Sequence, residues 1–368
     1  MLALIAITPW HWAGFILCVL FFLALDLGIF HRRAHAVSFK EALAWTLVWL
    51  TVSMIFAAAL VPLRGEQEAV EFVTGYIIEF SLSRDNVFVI ALIFTYFRVP
   101  TQYQHRVLFW GIMGALIMRG VMIAAGAALI QRYSWLLYLF GVFLLYTGIK
   151  MMFVSDVGVH PEKNPVLRLA RKFFPVSRDF AGQHFTVRQN GALVLTPLAL
   201  VLLVVETTDL VFAVDSIPAI FAVTTKPFIV FTSNVFAILG LRSLYFVLAG
   251  MIEYFRYLKA GLSIVLAFIG VKMLLDPHDR EPMWFQVDIP TSVSLLTVGA
   301  IILTSIVMSV EVARREKKSG RRKGKSKSDT AGEDQQKDAD EKSEEREGKS
   351  NSDTNGGKQG NDADGQNR

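Results

Sequence analysis

Cysteine is nearly absent. Cys18 is the only one in 368 residues, which excludes an internal disulfide and any cysteine-based metal cluster. Charge is also scarce over most of the chain. Residues 312–368 hold 15 of the 37 Lys and Arg and 13 of the 32 Asp and Glu, leaving 22 basic and 19 acidic side chains for the first 311 residues. That density is too low for the water-facing surface of a soluble protein of this size. The opening residues, MLALIAITPWHW, include no Lys or Arg, so no cleaved signal peptide is expected and the first apolar segment is read as retained. No nucleotide-binding loop, GxSG, HExxH or YD…GxGD pattern occurs, so catalysis is not expected. The seven histidines (His11, His31, His35, His105, His160, His184 and His278) lie in loops or at span ends, which removes an intramembrane histidine site.

Apolar residues are what is abundant: 53% of the chain is hydrophobic, with 28 Phe. A bilayer core requires about 20 apolar residues per helix. Nine stretches qualify, at roughly 10–30, 43–63, 69–97, 107–131, 135–154, 192–224, 227–249, 260–275 and 291–311, the eighth being short. Backbone polar groups have to be paired internally in lipid, so each stretch is read as a helix. The expected fold class is all-α: a polytopic membrane protein of about nine transmembrane helices, with residues 1–311 as its transmembrane domain.

Loop charge orients the chain. One side collects 13 Lys and Arg before the tail is counted, including Arg32, Arg33, Arg98, Arg171 and Lys172; the other collects Arg64, Arg132, Lys226 and Arg280. The expectation is an N-terminus outside and a C-terminus in the cytoplasm of a cell membrane, the bacterial inner membrane fitting best. The net charge of +5 does not point to nucleic acid, because the basic residues sit in loops and after the last span.

Charged residues inside spans are costly, about 2.5–3.5 kcal/mol each at a helix centre, and here they form a pattern. Span three reads Glu79-Phe-Ser-Leu-Ser-Arg84-Asp85-Asn86, and span six reads Asp209-Leu-Val-Phe-Ala-Val-Asp215-Ser216, 130 residues later. The following spans each carry one arginine, Arg119 and Arg242, and the spans after those end in GIKMM with Lys150 and GVKML with Lys272. Repeat one therefore covers about 69–154 and repeat two about 192–275. Each has three helices, so the second starts from the opposite side of the membrane. Such inverted three-plus-three repeats build many secondary transporters, with the ion site at the repeat interface.

The site expected from these residues is Glu79, Asp85, Asn86, Glu206, Asp209, Asp215 and Ser216, all of which offer oxygen. Oxygen donors suit Mg, Ca and Mn, whereas Zn and Cu favour nitrogen or sulfur. Arg84, Arg119 and Arg242 are read as charge partners or gates, and the same acids could instead be structural partners of these arginines. Asp26 in span one is either a solvated residue at the cytoplasmic end or part of an ion path. Glu79 and Asp85 lie about 120° apart on an ideal helix. With Ser81, Ser83 and Pro218 nearby and both stretches long, a discontinuous helix is expected in each repeat. Lys150 and Lys272 are expected to snorkel from span ends.

The segments EFSLSRDNVFVIALIF (79–94) and ETTDLVFAVDSIPAIFAVT (206–224) resemble the two signature blocks of the TerC family of integral membrane proteins, and DLGIFHRRAHAVSFKEALAWTLVW (26–49) is also similar to that family. The resemblance covers about residues 10–310. It implies an inverted-repeat fold related to the lysine-exporter-like superfamily, export of divalent metal, chiefly Mn²⁺, as transported substrate, and an association with tellurium resistance. It also implies that the acids of both blocks act at the site. Arg84 departs from the apolar residue expected at its position. A rival reading is a non-transporting membrane scaffold, in tellurium or metal stress or in membrane-protein assembly, with membrane-protein partners; a channel is a third. No tightly bound cofactor is expected. Residues 312–368 resemble nothing and read as a disordered charged cytoplasmic tail. Within it, 314–327 carries nine Lys and Arg against Glu316, which suits anionic lipid head groups.

Overall fold

The structure is a computed structural model that describes residues 7–30, 39–153, 164–177, 179–189, 191–249, 258–276, 286–287, 289–312 and 315; of 25–30, 248–249 and 258 it describes the backbone alone. Residues Met1–Ser309 form one compact unit. Eleven helices account for most of the described residues: α1 (Pro9–Phe30), α2 (Phe39–Arg64), α3 (Glu66–Tyr96), α4 (Thr101–Arg132), α5 (Leu136–Phe153), the short α6 (Pro165–Phe173), α7 (Pro197–Phe221), α8 (Pro227–Leu239), α9 (Leu241–Ala249), α10 (Leu258–Leu275) and α11 (Thr291–Val312). The chain is an all-α, polytopic membrane protein. Six described helical stretches are long and apolar enough to cross a bilayer, with α8 and α9 counted as one stretch over Pro227–Val247.

Local chemistry sets the element ends. Proline stands in the first turn of α6, α7 and α8, where its missing N–H costs nothing. The Asn164 side chain caps α6 by accepting from Val166 N at 2.9 Å and Leu167 N at 3.3 Å. The turn between α2 and α3 is the single residue Gly65, whose φ of 95° lies in a region that glycine enters without a Cβ clash. Arg64 bridges that turn to Glu68 at 2.7 Å.

Two expectations are corrected. Span six was expected from 192, but Ala192–Leu195 is a strand, β2, paired antiparallel with β1 (Thr186–Gln189), and the helix begins at Pro197. The second correction concerns helix breaks. Both α3 and α7 are continuous, with 31 and 25 residues. Their hydroxyls serve their own helices: Ser81 donates to Ile77 O at 2.7 Å, Thr207 to Leu203 O at 2.6 Å and Thr208 to Val204 O at 2.7 Å, the back-bonding open to Ser and Thr inside helices. Pro218 lies in the last turn of α7, where little helix remains to be broken. The interruption falls instead at Gly240, between α8 and α9.

The α8–α9 segment is surrounded by protein on nearly all sides, whereas α2 and α11 keep most of their surface outward. Leu139, Val142, Tyr146 and Ile149 on α5, and Leu296, Leu303 and Val307 on α11, are exposed. Water would penalise such faces, but lipid tails match them.

The repeat is visible in how α5 meets α10. Both have 18 residues. A Cβ added at Gly148 would lie 2.7 Å from Ala267 N and 2.8 Å from Ser263 O; one added at Gly270 would lie 2.6 Å from Leu145 N and 2.8 Å from Gly141 O. Ala267 and Ser263 stand to Gly270 as Leu145 and Gly141 stand to Gly148. The contact maps onto itself when the helices are exchanged, so a local two-fold relates them and they run antiparallel. Backbones approach this closely only where small residues line the interface.

Candidate functional site

At the centre of the bundle, α3 packs against α7 and α8, and α4 packs against the same two helices. Their apolar residues fill the surrounding core: Ile78, Ile123, Ala213, Ile217 and Val230 in one cluster, Phe72, Tyr76, Ile112 and Ile229 in another. Into this apolar surround projects Arg119 from α4, with 1% of its surface exposed. Burying an isolated guanidinium is prohibitive, so partners are required. Arg119 ion-pairs with Glu79 of α3 through Nη1. It grips Asp209 of α7 with two donors, Nε to Oδ2 at 3.2 Å and Nη2 to Oδ1 at 3.0 Å. Nη1 also donates to Ser216 Oγ and to Asn234 Oδ1, each at 3.3 Å. A second layer supports the carboxylates: Ser83 Oγ donates to Glu79 Oε1 and Asn86 Nδ2 to Asp209 Oδ1, each at 3.4 Å.

Four of the seven expected residues therefore meet here, and they meet as repeat mates. Glu79 corresponds to Asp209 and Asn86 to Ser216 across the 130-residue spacing of the two blocks. The other three point elsewhere. Asp85 ion-pairs with its neighbour Arg84 at 2.9 Å. Asp215 faces α5, beside Thr147 and Lys150. The Glu206 carboxylate lies against Gly114 of α4, in space that a Cβ there would occupy. Among the described residues no three His, Cys, Asp or Glu side chains converge, so the centre is a two-carboxylate site completed by neutral oxygens.

Arg119 pairs with Glu79 and Asp209, and Arg84 with Asp85. Arg242, in α9, is buried. The side chain of Asp26 lies outside the described residues, as does the tail from 316 onward, and with it nearly all of 314–327. The two repeat lysines differ. Lys150 is exposed with its ammonium over the Tyr146 ring, whereas Lys272 is buried, donating to Ala222 O at 3.2 Å and pairing with Asp276 at 2.9 Å.

Sequence reading missed Asn234 and Gly114. Asn234 is fully buried in α8, and an amide following Thr232 and Ser233 in a mostly apolar span was the available signal. Gly114 gives none in sequence, because its role depends on which side chain lies opposite.

A cleft of about 950 Å³ opens beside the N-terminal end of α3 and the C-terminal ends of α7 and α10, lined among others by Glu66, Glu71, Thr224, Lys226, Lys272 and Asp276. Glu71 clasps the α7–α8 turn, accepting from Thr224 Oγ1 at 2.7 Å and pairing with Lys226 at 3.2 Å. Glu71 and Glu79 are eight residues apart on one helix, about 12 Å along its axis, so the clasp stands between the cleft and Arg119.

Comparison with known proteins agrees with this architecture. The profile of the integral membrane protein TerC family matches residues 64–318. A membrane protein of Myxococcus xanthus, STKORF319, is 50% identical across 83% of this chain and 94% of its own length. The Escherichia coli K12 protein named "Putative membrane-bound redox modulator Alx" is 47% identical across 85% of this chain and 98% of its own. A membrane protein of Rickettsia bellii is 40% identical across 79% and 97%. No solved structure matches the chain. Repeat-related carboxylates buried within a bundle of apolar helices, and a family match spanning both signature blocks, have one reading: the chain belongs to the TerC family of integral membrane proteins.

Proposed function

We propose that this protein is a secondary transporter that carries a hard divalent cation, Mn²⁺ first, out of the cytoplasm in exchange for protons. One observation carries the reading: Glu79 and Asp209, matched residues of two inverted repeats, converge on one buried point ringed by Asn86, Ser216 and Asn234. Oxygen donors of this kind suit Mn²⁺, Ca²⁺ and Mg²⁺. Metal-binding carboxylates have to shed protons, which couples cation and proton movement. The loop-charge bias supports a cytoplasmic C-terminus, and on this reading the basic run at 314–327 lies beside anionic lipid head groups. In that orientation the cleft beside Glu71 opens to the outside and serves as the exit vestibule. The redox role in a relative's name reaches this chain through the metal, because its single cysteine, Cys18, cannot form an internal dithiol couple.

The test is Mn²⁺ uptake into everted membrane vesicles, with and without a pH gradient, for wild type and Asp209→Asn. Gradient-driven uptake lost in the variant is the expected result. If folded wild-type protein moves none of Mn²⁺, Ca²⁺ and Mg²⁺, the scaffold reading replaces this one.

A further inference from the structure

We propose that Arg119 is a tethered competitor of the transported cation, and that Glu206 receives its guanidinium when the cation displaces it; this rests on the transport reading above. The acceptors of Arg119 are Glu79, both oxygens of Asp209, Ser216 Oγ and Asn234 Oδ1. These are the oxygens a hard cation would take, so guanidinium and cation cannot hold the site together. Charge points the same way. Two carboxylates with Arg119 sum to −1, two carboxylates with a divalent cation sum to zero, and all four groups together would leave a buried surplus of +1, which low-dielectric surroundings oppose.

Arg119 does not satisfy the site completely. Glu79 Oε2 and Asn234 Nδ2 are buried without a hydrogen-bond partner, although both residues are fully buried. A site shaped for a permanent ion pair would pair these atoms. Glu79 Oε2, a carboxylate oxygen that a cation could take, is thus left unused by Arg119.

A displaced guanidinium requires a second acceptor, and the helices supply one. Long side chains on a helix lean toward its N-terminus, which on α4 is the direction from Arg119 to Gly114. There, because glycine has no Cβ, the Glu206 carboxylate rests against the α4 backbone. Glu206 lies one turn before Asp209 on α7 and is half-buried. Glu206 and Asp209 therefore offer two carboxylates one turn apart on α7, the helix whose Asp209 already holds Arg119.

The experiment measures Mn²⁺ binding to purified full-length protein by isothermal titration, for wild type, Arg119→Gln, Arg119→Lys and Glu79→Gln, with Glu206→Gln followed in vesicle transport. Removing a competitor strengthens binding, so Arg119→Gln is expected to bind at least tenfold more tightly than wild type, and Glu79→Gln to lose binding. Arg119→Lys, whose single ammonium cannot grip both carboxylates, is expected to fall between and serves if the glutamine variant does not fold. Glu206→Gln is expected to bind Mn²⁺ and to transport it at least tenfold more slowly. Wild-type binding with Arg119→Gln or Arg119→Lys equal to it or weaker overturns the inference and leaves the transport reading standing. No Mn²⁺ binding to wild type or to either Arg119 variant overturns both.

Discussion

Arg119 and its two carboxylates bring three charges together at a buried point. Removing one partner of a buried pair leaves an uncompensated charge, at a cost of about 3–5 kcal/mol. Arg119→Gln, which leaves Glu79 and Asp209 as two facing buried carboxylates, is therefore expected to lower the unfolding temperature in cation-free detergent sharply. The double variant Arg119→Gln/Asp209→Asn is expected to recover part of the loss, a non-additivity that a double-mutant cycle reads directly. Electrostatics also sets the scale for cation entry: a divalent ion about 4 Å from a guanidinium meets roughly 8 kcal/mol of repulsion at an effective dielectric near 20. Gly114→Ala tests the neighbouring residue. Its methyl group would overlap the Glu206 carboxylate, a flexible end that can swing away, so transport is expected to fall while thermal stability changes little. The acids themselves were legible in sequence, because each carries its cost in lipid wherever its helix goes. Their partners were not: Arg119 reaches Glu79 across 40 residues, Asp209 across 90 and Asn234 across 115.

Helix positions followed from apolar run length, and the pairing of helices followed from shape. The α5–α10 contact makes the point, since Gly148 and Gly270 each face backbone atoms within 3 Å of an added Cβ. Backbone cannot swing aside as a side chain does. Gly270→Val is expected to destabilise by about 1–3 kcal/mol through overpacking, seen as a lower thermal midpoint in detergent. Gly14, with nothing within 4 Å, is the control: Gly14→Ala is expected to be neutral or to gain up to about 1 kcal/mol of helix stability. Gly240 has a helical φ of −74° and only ordinary contacts for an added Cβ, so Gly240→Ala is expected to fold normally. The continuity of α3 and α7 was not legible, because the serines and threonines that resemble cavity liners are the same ones that bond their own helix backbone. The helix α3 shows a further limit of hydropathy. It carries Glu66, Glu68, Glu71, Glu79, Arg84 and Asp85 and is missing from the six stretches that qualify as spans, yet it lies at the heart of the bundle.

At the scale of the whole molecule, the two repeats share a pattern and differ in detail. Arg119 binds both acids of the mated pair, Lys272 is buried and Lys150 is exposed. Under the transport reading proposed above, this asymmetry suits alternating access, because exchanging the two arrangements would exchange the open side. The loop charges make a further prediction. A fluorescent protein fused after the last residue is expected to be bright and alkaline phosphatase at the same place inactive; the reverse result would invert the topology proposed here.

The sequence by itself determined the all-α membrane class, the rough positions of most apolar helices and the identity of the costly acids; its count of about nine spans stands against six described stretches that qualify. These depend on residue type and on local spacing, and lipid imposes the same cost on a charge whatever its neighbours. Tertiary structure alone decided that Glu79 and Asp209 share one arginine, that Asp85 and Asp215 stand apart from them, and that α5 and α10 touch at their glycines. Each of these is a meeting of distant parts of the chain, fixed by how helices pack and by where a missing Cβ lets two of them come close.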